Sequence, residues 1–285
     1  MSSVSSVPAA NGFSSFIGEL HKLPAFARRD LIVAWSYRGS FFGEWVGLLT
    51  GALTFYFVGL MVDERTLPSY GGTHATYMEF VAAGIALTAF IQLGLGRVGA
   101  ALRGEQLMGT LESLLMTPTS VSTIQVGSAA YDLIYVPVRT AIFFVILAFT
   151  FGLTFQPSGI APAAVSLLLF IPFVWGLGVV SAAITLTFRQ GAGFFALGVS
   201  GLVVGSGAFF PLQLLPGWVT AITRYNPIAL AVEGIRRPLL GGGWEGIWPD
   251  SLLLAPVSLA TLAFGLFAFR LALRREQRRG TLGLY

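Results

Sequence analysis

The sequence predicts an all-α integral membrane protein. It should have six transmembrane helices, an N-terminal interfacial helix, a short cytoplasmic helix between spans 2 and 3, and two outer re-entrant half-helices between spans 5 and 6. Three observations predict it. First, 55% of the 285 residues are hydrophobic and only 11% are charged, where a soluble domain carries about 25% charged residues; mean hydropathy is +0.77. Second, the apolar residues form continuous runs rather than alternating. Lipid leaves no unpaired backbone group, so spans are helices or closed barrels, and continuous runs select helices. Third, Lys and Arg are distributed unevenly about those runs.

The runs appear in order along the chain. Residues 1–20 are small and polar, lack the basic-then-apolar pattern of a cleaved signal peptide, and read as a disordered leader. Residues 21–40 contain "FARRDLIVAWSYRGS", in which Phe26, Leu31, Ile32 and Trp35 share a face and Arg28, Arg29 and Asp30 lie mostly elsewhere. That pattern suits a helix lying in the interface, or a simple extension of the first span. A six-span domain over 41–272 follows. Its spans are Trp45–Val62, Phe80–Gly96, Leu133–Phe155, Ile160–Phe188, Gly191–Leu215 and Ser251–Phe269, with a tight turn at Gln156–Gly159. Residues 273–285 are a basic tail.

With six spans both termini share a side. That side carries twelve Lys and Arg residues, from Lys22 to Arg279, against four on the other: Arg65, Arg224, Arg236 and Arg237. The positive-inside rule then places both termini in the cytoplasm of a bacterial-type inner membrane.

Two segments are too short to cross. In "RGEQLMGTLESLLMTPTS", Leu107, Met108, Leu111, Leu114 and Leu115 make a helical stripe opposite Arg103, Glu105, Gln106, Glu112 and Ser113, and Pro118 ends it. It is either an interfacial loop helix or a helix that docks on a partner. In "PLQLLPGWVTAITRYNPIALAVEGIRRPLLGGGW", two pieces of about ten residues each are split at Tyr225–Asn226–Pro227, where Asn is a good N-cap and Pro a good first helical residue. They dip into the membrane from outside, anchored by Trp218 and Trp244, or form an ordinary amphipathic loop.

Ionisable residues within spans are costly and so are suspects for function. Glu44 begins the first span, and Asp132 and Arg139 lie in the third. Seven residues apart, Asp132 and Arg139 are about 10 Å apart along the axis, so each should seek a partner on another helix or on a transport path. Glycines at 39, 43, 47 and 51 make a smooth stripe for close helix approach, within the chain or between two copies. There are no cysteines, and His21 and His74 are far apart in sequence, so no metal site is expected.

"GEQLMGTLESLLMTPTS" resembles the E-x-x-x-G-T-L-E-x-L-x-x-T-P signature of the ABC-2 type permeases, the membrane subunits of one class of ABC exporters. Glu105, Gly109, Thr110, Leu111, Glu112, Leu114, Thr117 and Pro118 match it. Leu215, Pro216, Trp218, Asn226, Pro227, Glu233 and Arg236 match the family's second stretch, and "ARRDLIVAWSYRGSFFG" is similar to its interfacial helix.

The resemblance implies a dimer of permeases with two separate ABC ATPase subunits. In that reading Arg103 to Pro118 is the coupling element, and Leu215 to Arg236 an outer gate. The chain's single lysine, Lys22, follows "GELH", so no phosphate-binding G-x-x-x-x-G-K-[ST] loop exists. ATP and Mg are therefore expected on the partner, and no cofactor or catalytic residue on this chain. The G-T-L-E form resembles that of drug and small-lipid exporters and implies a drug-like or lipid-like amphipathic cargo; the Phe-rich spans, with Phe143, Phe144, Phe194, Phe195, Phe209 and Phe210, suit such a cargo or face lipid and pack within the bundle. The alternatives are a polysaccharide or glycolipid exporter, an ion-coupled secondary transporter using Glu44, Asp132 and Arg139, and a non-transporting scaffold. Nucleic acid is not an expected partner.

Overall fold

The structure is a computed structural model that describes residues 28, 32, 36, 38–70, 72–107, 121–188, 191–214, 216–223, 225–245 and 247–279. The described chain is helical apart from one small hairpin. Its α-helices are α1 (Arg38–Gly59), α2 (Tyr77–Leu107), α3 (Val121–Phe151), α4 (Ile160–Phe188), α5 (Ala192–Val204), α6 (Gly217–Thr223), α7 (Pro227–Arg237) and α8 (Trp248–Arg279). Three described stretches are long and apolar enough to cross a membrane: Tyr77–Gly96, Pro157–Phe188 and Asp250–Arg275. Between α1 and α2, β1 (Ser69–Tyr70) and β2 (Thr73–His74) pair antiparallel, with Ser69 opposite His74. Gly72 in the turn has φ +82°, a backbone conformation that glycine adopts without steric cost.

α4 is the central helix. Ser166, Phe170, Ile171, Phe173 and Val174 are buried, and Phe90, Ile91, Ile228 and Leu254 from α2, α7 and α8 join them in one core. Bulky residues fill this core, but the helix crossings are made by glycine. A Cβ on Gly176 would sit 2.6 Å from the backbone carbon of Thr261, and one on Gly265 would sit 2.7 Å from Gly176 O. So α4 and α8 meet backbone to backbone, the approach that small residues permit between apolar helices. Gly234 makes a similar approach of α7 to Ser166 on α4. The outward faces carry exposed Phe149, Phe194, Leu252, Phe264 and Phe267, apolar surface of the kind that lipid covers.

Several expected boundaries move. α1 begins at Arg38, ahead of Trp45. Most of the interfacial helix expected over 21–40, and all of the leader, lie outside the described residues. α2 does not stop at Gly96 but continues to Leu107, because an Arg ends an apolar run without ending a helix. For the same reason α8 runs unbroken to Arg279, so the start of the basic tail is helix. The expected turn at Gln156–Gly159 is a 3-10 turn at Pro157–Gly159.

The largest correction concerns the fifth span. Its helix covers only Ala192–Val204, about 20 Å of rise, against a hydrocarbon core of about 30 Å. Gly205 caps it, Gly207 has φ +71°, and the chain continues as turns through a 3-10 turn at Leu212–Leu214. Continuous apolarity suggested a span, but four glycines between Gly198 and Gly207 weaken the helix, and the positive φ at Gly207 breaks it. The predicted split at Asn226–Pro227 is present: Asn226 Oδ1 accepts from Ile228 N and Pro227 opens α7.

Gly176→Ala forces α4 and α8 apart and should cost about 1–3 kcal/mol, the usual range for overpacking. Gly96→Ala, where an added Cβ meets nothing within 4 Å, should cost nothing measurable. Thermal unfolding of the detergent-solubilised chain, followed by size-exclusion of the surviving fraction, measures both.

Candidate functional site

Breaking α5 frees its last carbonyls, and a buried carbonyl left unpaired costs about 1–3 kcal/mol. Side chains from other elements take them up. Asn226 Nδ2 donates to Leu202 O at 2.7 Å, and Thr223 Oγ1 to Gly205 O at 2.8 Å. Arg236 Nη2 donates to Gly207 O and Ala208 O at 3.2 and 3.3 Å. Tyr77 Oη donates to Phe209 O at 2.9 Å. Gly84 on α2 lacks a side chain where Ala208 passes, and a Cβ there would collide with the Ala208 carbonyl.

Arg236 is the centre of this arrangement. Only 2% exposed, it also donates from Nε to Phe80 O at 2.9 Å and from Nη1 to Glu233 Oε1 at 2.6 Å. Its guanidinium lies 3.7 Å from the Phe80 ring centroid. A planar fork of five donors satisfies this set; a lysine ammonium cannot. Glu233 in turn accepts from Arg237 Nε at 3.2 Å, and Arg237 pairs with Asp250 at 3.1 Å. The β-hairpin places Tyr70 Oη 3.3 Å from Glu233. Burial, opposed by the Arg236 charge, pushes the Tyr70 hydroxyl up to about 12, so it stays a neutral donor to Glu233 at physiological pH. A cavity of about 440 Å³ opens among Ser69, Tyr70, Gln213, Glu233, Arg236 and Arg237.

Of the residues expected at an outer gate, Asn226, Pro227, Glu233 and Arg236 therefore come together in or beside this knot. Pro216 immediately precedes α6 and Trp218 lies in its first turn, where it is 71% exposed and takes no part; Leu215 lies outside the described residues. α7 is no surface loop, since Ile228, Ala231, Val232 and Ile235 join the core. Tyr70, Tyr77, Thr223 and Asp250 were not legible as site residues: each is a lone polar residue whose partner is far away in sequence.

A second cluster lies along α1. Arg139 on α3 is 7% exposed, with Nη1 3.7 Å from Glu44 Oε2 and Nη2 donating to Glu44 O at 3.3 Å. Tyr135 Oη donates to the same carboxylate at 3.4 Å, and Trp45 lies 5.8 Å from the guanidinium. Arg139 thus finds its partner on another helix. Asp132 lies on the backbone of α3, its side chain outside the described residues. From Glu44 a trough of about 390 Å³ runs along Gly47, Gly51 and Phe55 of α1 and Ile85, Thr88 and Gln92 of α2 to Phe209. Phe55 and Phe209 stack at 4.8 Å across its far end. The stripe of Gly39, Gly43, Gly47 and Gly51 meets no described atom of this chain within 4 Å of an added Cβ.

Among the residues expected to couple, Arg103 and Glu105 fall on the backbone of the last turns of α2, with side chains outside the described set. Gly109, Thr110, Leu111, Glu112, Leu114, Thr117 and Pro118 lie outside the described residues.

Arg236→Met should destabilise the fold by about 3–5 kcal/mol, the cost of removing one partner from a buried charge pair. Asn226→Ala removes a helix cap and a carbonyl partner, at about 1–3 kcal/mol. Trp218→Ala should leave the melting temperature unchanged. Denaturant titration in detergent ranks the three.

A family profile for the ABC-2 type transporters matches residues 23–240, a stretch that contains the trough, the broken helix and, Asp250 apart, the knot. The chain is also similar to the inner membrane transport permease YadH of Escherichia coli strain K12. The two are 24% identical over 197 residues, 68% of this chain and 74% of that protein. The protein of the same name in Shigella flexneri gives the same figures. Helices α1 to α7 thus lie within one family domain, and the chain belongs to the ABC-2 type transporter family.

Proposed function

We propose that this chain is the transmembrane subunit of an ATP-driven exporter, paired with a second copy and with two separate ABC ATPase subunits that bind ATP and Mg. Family membership over residues 23–240 carries this reading, and the Glu105–Pro118 motif supports it. In this reading α1, α2, α3, α4, α5 and α8 make six crossings of the inner membrane, with both termini cytoplasmic. The broken half of the α5 crossing is tolerated because it is buried in protein, and α6 and α7 form a gate on the outer side. The name of the similar protein, an inner membrane transport permease, agrees with the location.

ATP closes the paired ATPases, and the closing motion presses on the element at Arg103–Pro118. As α2 is one helix from Tyr77 to Leu107, a push at its cytoplasmic end reaches Phe80 and the knot without an intervening loop. The membrane halves then rearrange and release an amphipathic, drug-like or lipid-like cargo outward. Glu105 and Glu112 meet basic residues of the ATPase, or brace Arg103 within this chain.

A stoichiometric P-loop protein should co-purify; its absence would favour an ion-coupled transporter or a scaffold. In the assembled complex, Leu111→Asp and Glu112→Ala should each lower cargo-stimulated ATPase activity and transport about tenfold or more, as the loss of one to two kcal/mol of coupling implies. Unchanged activity in both would remove the coupling role. The chain lacks cysteine, so a disulfide introduced between the α6–α7 segments of two copies reports cleanly. It should stop export while ATP still binds.

A further inference from the structure

The trough beside Arg139 is polar at one end and aromatic at the other. Glu44, Gly47, Leu48, Gly51 and Phe55 share one face of α1, and Ile85, Thr88, Ala89 and Gln92 share one face of α2. From Glu44 to Phe55 is eleven residues, about 16 Å of helix. The Glu44, Arg139 and Gln92 end offers charge and hydrogen bonds. The body is glycine and aliphatic, and the stacked Phe55 and Phe209 rings close the far end.

Two residues that line the trough carry a buried donor to spare. Arg139 Nε and Thr88 Oγ1 are buried without a hydrogen-bond partner among the described residues. The Glu44 carboxylate, in contrast, accepts from Tyr135 and pairs with Arg139. That pair, at 3.7 Å, is longer than a charge-assisted hydrogen bond of about 2.7–2.9 Å. Arg139 can therefore accept a second negative partner without giving up a short bond to the first. A buried, unmet donor is costly, and a ligand that brings an acceptor removes the cost.

We propose that this trough binds an anionic amphiphile. Its carboxylate or phosphate head lies on Arg139 Nε and Thr88 Oγ1, and a single apolar chain or flat ring body lies along Gly47 and Gly51 to the Phe55–Phe209 stack. The proposal rests on the exporter reading in making this ligand cargo. The binding site itself does not, so the two can fail separately.

The test uses the full chain in nanodiscs of zwitterionic lipid, with 11-(dansylamino)undecanoate as the anionic probe. A trimethylammonium probe and a hydroxyl-headed probe of the same body serve as comparisons, and dansyl fluorescence gives Kd. The anionic probe should bind at least about tenfold more tightly than the other two. Thr88→Val and Arg139→Gln should each weaken it about tenfold, the size expected for a lost hydrogen bond to a charged group. Gly51→Leu, which fills the trough without touching the polar end, should abolish binding, and Gly96→Leu should not.

Adding phosphatidylglycerol to the nanodiscs separates two sources of the same chemistry. Competition identifies a membrane lipid as the natural occupant, and undiminished binding a soluble amphiphile; either supports the site. Equal binding of all three probes, tighter binding of the cationic one, or a Kd unmoved by both Thr88→Val and Gly51→Leu overturns it. So does a Gly51→Leu chain that elutes as a monomer where the unaltered chain is a dimer that binds no probe, since the trough is then a seam between copies. If an ATPase co-purifies but no probe binds, the site falls and the exporter reading stands.

Discussion

A helix that ends inside an apolar protein must find donors for its last carbonyls, and the rest of this structure is arranged around that need at the end of α5. Leu202, Gly205, Gly207, Ala208 and Phe209 each present a carbonyl that Asn226, Thr223, Arg236 or Tyr77 takes up. Those donors come from α2, α6 and α7 and from the turn between α6 and α7. Satisfying one helix end therefore fixes the positions of three other elements. It also explains the buried arginine, whose charge would otherwise be expensive at such a site: Glu233 balances it, and Nε and Nη2 meet three carbonyls.

The two arginine sites differ in how completely they are satisfied. Around Arg236 short bonds run to three carbonyls and a carboxylate, and a tyrosine, a second arginine and an aspartate extend the network. Around Arg139 the ion pair is long and one nitrogen is unmatched. A matched network stiffens what it joins, whereas an unmatched one keeps binding capacity in reserve. That contrast supports a structural role for the Arg236 knot and the proposed ligand for the Arg139 trough; the first arginine lies on a short amphipathic helix and the second on a long apolar one.

How much of this was legible in the sequence depended on the range of each signal. The helices at α1, α2, α3, α4 and α8, and the N-cap at Asn226, follow from runs and caps that are local. The α5 error arose because hydropathy counts apolar residues and does not weigh how Gly205 and Gly207 release the backbone. Overruns at Arg97 and Arg270 arose because charge marks a membrane boundary and not a helix end. Arg236 and Glu233 entered through a family motif, and Arg139 and Glu44 as charges within spans. Their partners did not, since Tyr70 to Glu233 and Arg139 to Glu44 are long-range pairings that no spacing encodes.

The crossing of α4 and α8 at Gly176 and Gly265 has a mechanical consequence. Where two backbones touch, no flexible side chains lie between them to absorb sliding, so the pair behaves as one stiff beam. On α1 the glycines at 39, 43, 47 and 51 meet no described atom within 4 Å of an added Cβ, and Gly59 meets only the Tyr77 side chain, so among the described residues α1 makes no weld of this kind. The molecule thus carries one stiff pair of helices, and the trough is bordered by a face of α1 that no such backbone contact holds.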